Sequence, residues 1–341
     1  MKSARILFPA VLLASMTAAG ASAQVLGDVA QGWSIQGSDP IEIVFGGRLV
    51  TKYHAGFEEG KPYFYPIMGP SGENMTRHWP MNETFEDEER DHPYHRGMWY
   101  GLGDVNGCDF WSRPESPGAD AAVDSDKQYG VIRHRGMNGV IIRGSTITIK
   151  TRSDWLDAGD AEKRVCSDRR EFTLFYREDG SLVLDLTLRL IADAGDITIG
   201  DGEEGGWAIR TIPTLRRKGA VATGRLLSSE GDKDGEAAGW RAAWVDCHGS
   251  DRAGNALGIA LFDHPENLHA PTWWRVTDHG LLAANPFARG NFEGDPGAEA
   301  KDGGTVLRNG ESLTFRYRTI FHEGGPESAG IAEAYEAFVA K

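Results

Sequence analysis

The sequence predicts an all-β fold, a large antiparallel β-sandwich with a short C-terminal helix. Two observations carry that prediction. Glycine is abundant, at 44 of 341 residues, and short β-branched or aromatic runs recur between turn signals. Only one stretch, at the very end, has the spacing and composition of an amphipathic helix.

In chain order the expected strands are Ile41 to Phe45, Val140 to Lys150, Glu171 to Tyr176, Ser181 to Leu190, Ala242 to Val245, Gly258 to Phe262 and Ser312 to Ile320. Ser181 to Leu190 is the clearest. Its leucines alternate from Leu182 while Asp185, Thr187 and Arg189 take the other face, the period of a half-buried antiparallel strand. Another strand is expected to end near Asp201. Ile331 to Ala340 places Ile331, Tyr335 and Phe338 near one face among strong helix formers, as a closing element on the sandwich. Ser116 to Asp126 and Gly224 to Ala238 read as surface excursions.

Residues 1–23 read as a signal peptide: Lys2 and Arg5 precede a short apolar run, and Ala21-Ser22-Ala23 offers a cleavage site. The remaining 24–341 read as a single domain, exported to a periplasm or secreted. No later run approaches the roughly 20 apolar residues of a membrane helix, so membrane insertion is not expected. With 36 basic and 50 acidic side chains the net charge is −14, which argues against nucleic acid as a partner. Cys108, Cys166 and Cys247 are odd in number and widely spaced. They suit buried thiols better than a disulfide framework or a structural zinc site.

The segment Arg77 to Trp111 concentrates three histidines, three arginines and three tryptophans among many carboxylates. Within it, Asp91-His92-Pro93-Tyr94-His95-Arg96 sets two imidazoles beside fixed charges, a pattern for acid/base chemistry or for metal binding by neutral imidazole. The bland alternative is a pair of histidines bracing a tight loop. Pro93 is expected to hold His92 extended. Downstream, Trp99, Asp104, Asn106 and Trp111 mix flat apolar faces with short polar groups, as sugar sites do, although core packing also uses tryptophan. A second cluster holds His264, His279 and Asn285, and its loops are able to join the first at one end of a sandwich or to stand apart. Glu204 is a candidate acid or base and Arg210 a candidate clamp for an anion. The acidic run at Glu83, Glu86, Asp87, Glu88 and Glu89 lacks calcium-loop spacing and reads as a solvated loop.

Lys61-Pro62-Tyr63-Phe64-Tyr65-Pro66, Gly69-Pro70-Ser71-Gly72, Thr76-Arg77, Trp79-Pro80, the Asp91 to Gly97 segment, Gly103 to Gly107 and Asn285-Pro286-Phe287 resemble the bacterial PmoA-like family, over most of the chain. Tyr94 stands where that family's HPHHR pattern has its second histidine, while His92, His95 and Arg96 match. The family is chiefly a domain of unknown function. The resemblance implies a sandwich similar to the galactose-mutarotase superfamily, whose members act on or bind carbohydrate. A methane-oxygenase role is rejected, because a membrane copper enzyme needs spanning helices.

The leading expectation is thus an exported carbohydrate-active enzyme that breaks a glycosidic linkage by hydrolysis, or by elimination from an oxidised 3-keto sugar. His92 or His95 would move the proton, Arg96 and Arg77 would stabilise negative charge, and Trp99 and Trp111 would hold the ring. A divalent metal on histidines, with His92, His95, His264 and His279 as candidates, would share the electrostatic work. The alternatives are a mutarotase or epimerase and a non-catalytic carbohydrate-binding protein.

Overall fold

The computed structural model describes residues 32–56, 60–113, 127–234, 238–294 and 303–340. The leader at 1–23 and the excursion from Ser116 to Asp126 lie outside the described residues. Among the described residues no helix is long and apolar enough to cross a membrane.

With strands numbered along the chain, a front sheet of eight runs in spatial order β1 (Trp33–Gln36), β2 (Ile41–Phe45), β3 (Arg48–His54), β4 (Tyr63–Ile67), β5 (Met98–Leu102), β12 (Gly205–Arg210), β18 (Leu281–Asn285) and β17 (Trp273–Val276). A back sheet of ten runs β14 (Gly231–Asp232), β13 (Arg225–Ser228), β15 (Trp244–Ser250), β16 (Ala256–Asp263), β20 (Ser312–Glu323), β10 (Leu182–Ile191), β9 (Asp160–Tyr176), β8 (Thr146–Asp157), β7 (Gln128–Arg143) and β6 (Cys108–Asp109). A ribbon of β11 (Ile197–Ile199) and β19 (Thr305–Leu307) completes the strands. Neighbours pair antiparallel except β6 with β7.

The core lies between the two sheets. Leu182, Leu184, Leu186, Leu188 and Leu190 of β10 share one buried cluster with Met98, Tyr100 and Leu102 of β5 and Trp207 and Ile209 of β12. Burying each leucine contributes about 1.5–3 kcal/mol. On the other face of β10, Asp185 takes Arg318 in a two-point ion pair at 2.6 and 2.7 Å.

The helices are α1 (Arg289–Glu293) and α2 (Ile331–Val339). As its sequence pattern predicts, α2 closes the outer face of the back sheet. Its Ile331 and Phe338 pack on Val183, Phe262 and Ile320, residues that alternate with the core-facing positions of their strands.

Some expected boundaries are corrected. Val140 to Lys150 is not one strand: β7 ends at Arg143 and β8 starts at Thr146, with Gly144 at φ +55° opening a two-residue hairpin. Gly224 to Ala238 contains β13 and β14, and the strand expected at Ala242 to Val245 is β15, which runs on to Ser250. All three cysteines are free and buried, as expected.

Candidate functional site

The site is built on the outer face of the front sheet. Alternation turns Tyr63 and Tyr65 of β4, Trp99 of β5, Ala208 of β12, and Leu281 and Ala283 of β18 outward into a small cluster separate from the core. The chain between β4 and β5 folds back over this cluster. It returns to the sheet at Gly97, at φ +53°, where a Cβ would collide with the Phe64 carbonyl, so only glycine fits.

Two buried arginines hold that loop. The Arg77 amide donates to the Arg210 carbonyl at 2.9 Å, setting the two residues side by side. Arg77 then donates to the carbonyls of Asp91, His92 and His95, each at 2.8 Å, and to Asp91 Oδ1 at 3.0 Å. Arg210 Nη2 reaches the same Oδ1 at 2.7 Å. Asp91 Oδ2 is left for His92 Nδ1, at 2.7 Å. Burial pushes the Asp91 carboxyl up, but the His92 hydrogen bond and the two guanidiniums outweigh it, holding the group well below the usual carboxylate range. A fixed anion at Nδ1 selects the tautomer with its proton there and leaves the Nε2 lone pair for other work. The His92 side chain is 41% exposed.

His92 is not extended as Pro93 suggests. It has φ +44°, and its carbonyl accepts the His95 amide at 2.9 Å, so Pro93 and Tyr94 form the corner of a turn. Such a conformation costs a non-glycine residue about 1–3 kcal/mol, offset here by the Arg77 clamp.

His95 takes a different part from its neighbour. It is buried, stacked between His92 and Trp99 at centroid distances of 4.8 and 5.1 Å. Trp111 Nε1 donates to its Nε2 at 3.1 Å and Arg210 Nη1 lies 3.3 Å from its Nδ1. Both neighbours are donors only, so the neutral ring accepts from one of them, Trp111, and a second proton would leave both ring N–H groups facing donors. Burial, then Arg210, His92, Arg77 and Lys61, hold its pKa well below the ordinary value. The expectation that His95 moves a proton is therefore corrected: it is a neutral brace.

On the other side of Tyr94 lies a second charged group. Lys61 is 5% exposed, and among the described residues its only hydrogen bond is to the Trp111 carbonyl. Its Nζ faces the rings of Tyr94 and Trp99 at 5.8 and 5.7 Å. Burial drags its pKa down to about 7, with Asp109 and Glu204 resisting and Arg96 and Arg113 assisting. Glu204 Oε2 accepts from Ser112 Oγ at 3.2 Å, and Oε1 lies 3.8 Å from Arg275 Nη2. Burial pushes the Glu204 carboxyl up, against Arg275. Arg96 is half-buried over the Tyr63 ring, with its Nε on the Pro93 carbonyl at 3.3 Å and neither Nη hydrogen-bonded among the described residues.

The remaining expected residues have structural work. Arg77 and Arg210 are clamps on Asp91, so a direct substrate role for them is corrected. Trp99 and Trp111 are fully buried and cannot offer a ring face to a sugar. Asp104 Oδ1 accepts the Gly107 amide at 2.8 Å, and its side chain borders a cleft of about 250 Å³ shared with Glu204. Asn106, at φ +54°, accepts the Thr198 amide at 2.7 Å and pins its turn to β11. Asn285 bridges the Gly202 carbonyl and the Phe287 amide at 2.8 and 3.0 Å. His264 packs on Phe338 of α2 at 5.2 Å, so it does not join His92 and His95. His279 comes nearer: its Nδ1 meets Glu89, in the loop that carries Asp91, at 2.8 Å. The four metal candidates are thus not brought to one point. Among the described residues no group of three His, Cys, Asp or Glu side chains is placed to hold an ion. Lys61 joins this candidate site without a signal in the sequence: it opens the Lys61-Pro62-Tyr63 motif, but nothing local marks a lysine as buried.

A family model described as a family of unknown function (DUF6807) matches residues 40–336. The chain belongs to this family. The match takes in every strand except β1 and every residue of the site, and its description assigns no activity. No curated protein matches the chain. Among solved structures, the crystal structure of a GalM/aldose epimerase homologue from C. elegans is similar at 10% identity, covering 86% of this chain and 97% of that one, with a TM-score of 0.29. A likeness so distant assigns no activity to this family member.

Proposed function

We propose that the protein is an exported carbohydrate-active enzyme in which His92, oriented by Asp91, transfers the proton. The observation that carries this is the Asp91 carboxylate, fixed by two buried arginines on one oxygen and aimed at Nδ1 of a half-exposed imidazole by the other. Tyr94 stands between that pair and the Glu204 group: its ring meets His92 edge-on at 5.6 Å, and its hydroxyl, pushed up to about 12 by burial and by Glu204, stays protonated. Environments that drive Asp91 down and Glu204 up divide a base side from an acid side. His92 would take a proton from the carbon next to the ketone in an elimination, or from the attacking water in a hydrolysis, Glu204 would supply one to the leaving oxygen, and the Nη atoms of Arg96, without a hydrogen bond among the described residues, would meet developing negative charge. The sugar assignment is supported by the PmoA-like resemblance of the Asp91 to Trp111 block. Breaking a glycosidic bond, by elimination from a 3-keto sugar or by hydrolysis, is the reaction we propose.

The test is to incubate the mature protein, with and without chelator, with ordinary glycosides and their 3-keto counterparts, and to follow products by mass spectrometry. Cleavage of keto substrates alone supports elimination, and cleavage of ordinary glycosides supports hydrolysis. Exchange of anomers without cleavage would move the reading to a mutarotase, and silence across the panel would favour a binding protein. Loss of turnover with chelator would bring in a metal. His92→Gly removes the imidazole at a backbone position glycine favours, so the fold is expected to survive while turnover falls about 100-fold or more. Full turnover in that variant would sink the role given to His92.

A further inference from the structure

We infer that a second cleft, on the opposite flank of the segment that carries Arg77, is a subsite for one saccharide ring with Phe85 as its platform. The inference rests on the carbohydrate reading above and extends it from a reacting bond to the sugars beside it.

Successive residues of that segment face opposite ways. Arg77 turns to Asp91, while His78 turns to a cleft of about 220 Å³ bordered by Ile212, Pro213 and Thr214. The His78 ring is immobilised: its Nδ1 meets the Tyr65 hydroxyl at 2.9 Å and its Nε2 lies 3.4 Å from Asn74 Nδ2. Burial, then Arg252, hold its pKa down at about 4, so at neutral pH it is an uncharged flat plate. Phe85 lies on that plate with ring centroids 3.5 Å apart and planes within 2°, yet remains 45% exposed. One face of the phenyl ring is therefore fixed and the other is presented outward. A singly exposed phenylalanine is ordinary, but one stacked face-on against an immobilised ring presents a fixed flat surface, and the C–H face of a pyranose matches it.

The polar groups fit hydroxyls. Glu88 borders the cleft with Oε1 on the His78 amide at 2.8 Å, and burial pushes its carboxyl up. Thr214 is 5% exposed, and its Oγ1 has no hydrogen-bond partner among the described residues. A buried hydroxyl without a partner is a standing cost; the Thr214 Oγ1 is closed to solvent, so a ligand hydroxyl would remove that cost by drawing the side chain round about χ1 toward the cleft. The volume falls short of the about 300–1,000 Å³ of drug-sized sites, which suits a single ring.

The full mature chain, its Phe85→Ala and Thr214→Val variants and His92→Gly would be titrated with methyl glycosides and with di- and tetrasaccharides, following the His78 imidazole by NMR and heat by calorimetry. Saturable binding that shifts His78 is expected, weakened about tenfold by Phe85→Ala and several-fold by Thr214→Val. His92→Gly is expected to leave this binding unchanged even where turnover is lost, which separates the subsite from the catalytic reading. If no sugar in the panel shifts His78, or if Phe85→Ala leaves both affinity and the KM for tetrasaccharides unchanged, the subsite is overturned whether or not His92 proves catalytic.

Discussion

Lys61 holds its Nζ over Tyr94 and Trp99 and passes Gly101, where an added Cβ would sit 3.6 Å from Lys61 Cδ and 2.7 Å from the Phe110 carbonyl. An ammonium there has three donors and, among the described residues, one acceptor, which is unfavourable in a low-dielectric enclosure. Its folded pKa, about 7, lies below the ordinary 10.5, so between those values the unfolded chain holds the extra proton. Stability therefore rises with pH across that window, and the cost of burying the charge is greatest below pH 7. Lys61→Met is expected to raise stability by about 1–4 kcal/mol at pH 6 and to flatten the slope between pH 7 and 10. Urea midpoints of the two proteins across that range check it, and a variant less stable at pH 6 would show that the lysine is satisfied as a cation. A gain in stability accompanied by lost turnover would place the strained amine in the chemistry.

Elements divide by how local their signal is. In β10 the leucines alternate along one strand, and in α2 the apolar residues recur along one helix, so both were legible from the sequence. The turn between β7 and β8 was not, because two β-branched runs abut across Gly144 and look continuous. The loop from Arg77 to Gly97 was legible as a site through its crowding of charge and imidazole, but the parts its residues play were not. Whether His92 or His95 is enclosed depends on Arg210 and Trp111, which arrive from β12 and from beyond β5. The choice between sugar platform and core packing for Trp99 and Trp111 is not legible for the same reason, since burial is set by what covers a ring rather than by the residues beside it in sequence. Phe338 shows what a legible element contributes: it seals α2 on Phe262 at 6.1 Å and lies under Arg318 at 4.8 Å. Phe338→Ala is expected to cost about 3–5 kcal/mol, read as a lowered urea midpoint, with KM unchanged.

At the scale of the whole molecule, the two sheets keep their outer faces apart. The back sheet is closed by α2, the front sheet carries the Asp91 network, and the shared core fills the space between them. Perturbations on the two faces have no common partner, so they should not communicate. Asp91→Asn removes the anion that two buried guanidiniums share and is expected to cost about 3–5 kcal/mol near neutrality. Because the folded pKa of Asp91 lies below its unfolded value of about 3.9, its contribution is complete above that pH and is lost as acid approaches the lower folded value. Asp91→Asn should therefore flatten the acid limb of the stability curve, and Phe338→Ala should lower the whole curve without changing that limb. The double variant is expected to show the sum of the two losses to within about 0.5 kcal/mol. A larger coupling, measured from urea midpoints of the four proteins, would mean that the core transmits strain from the helix to the Asp91–His92 pair, and that the site is tuned from the far side of the sandwich.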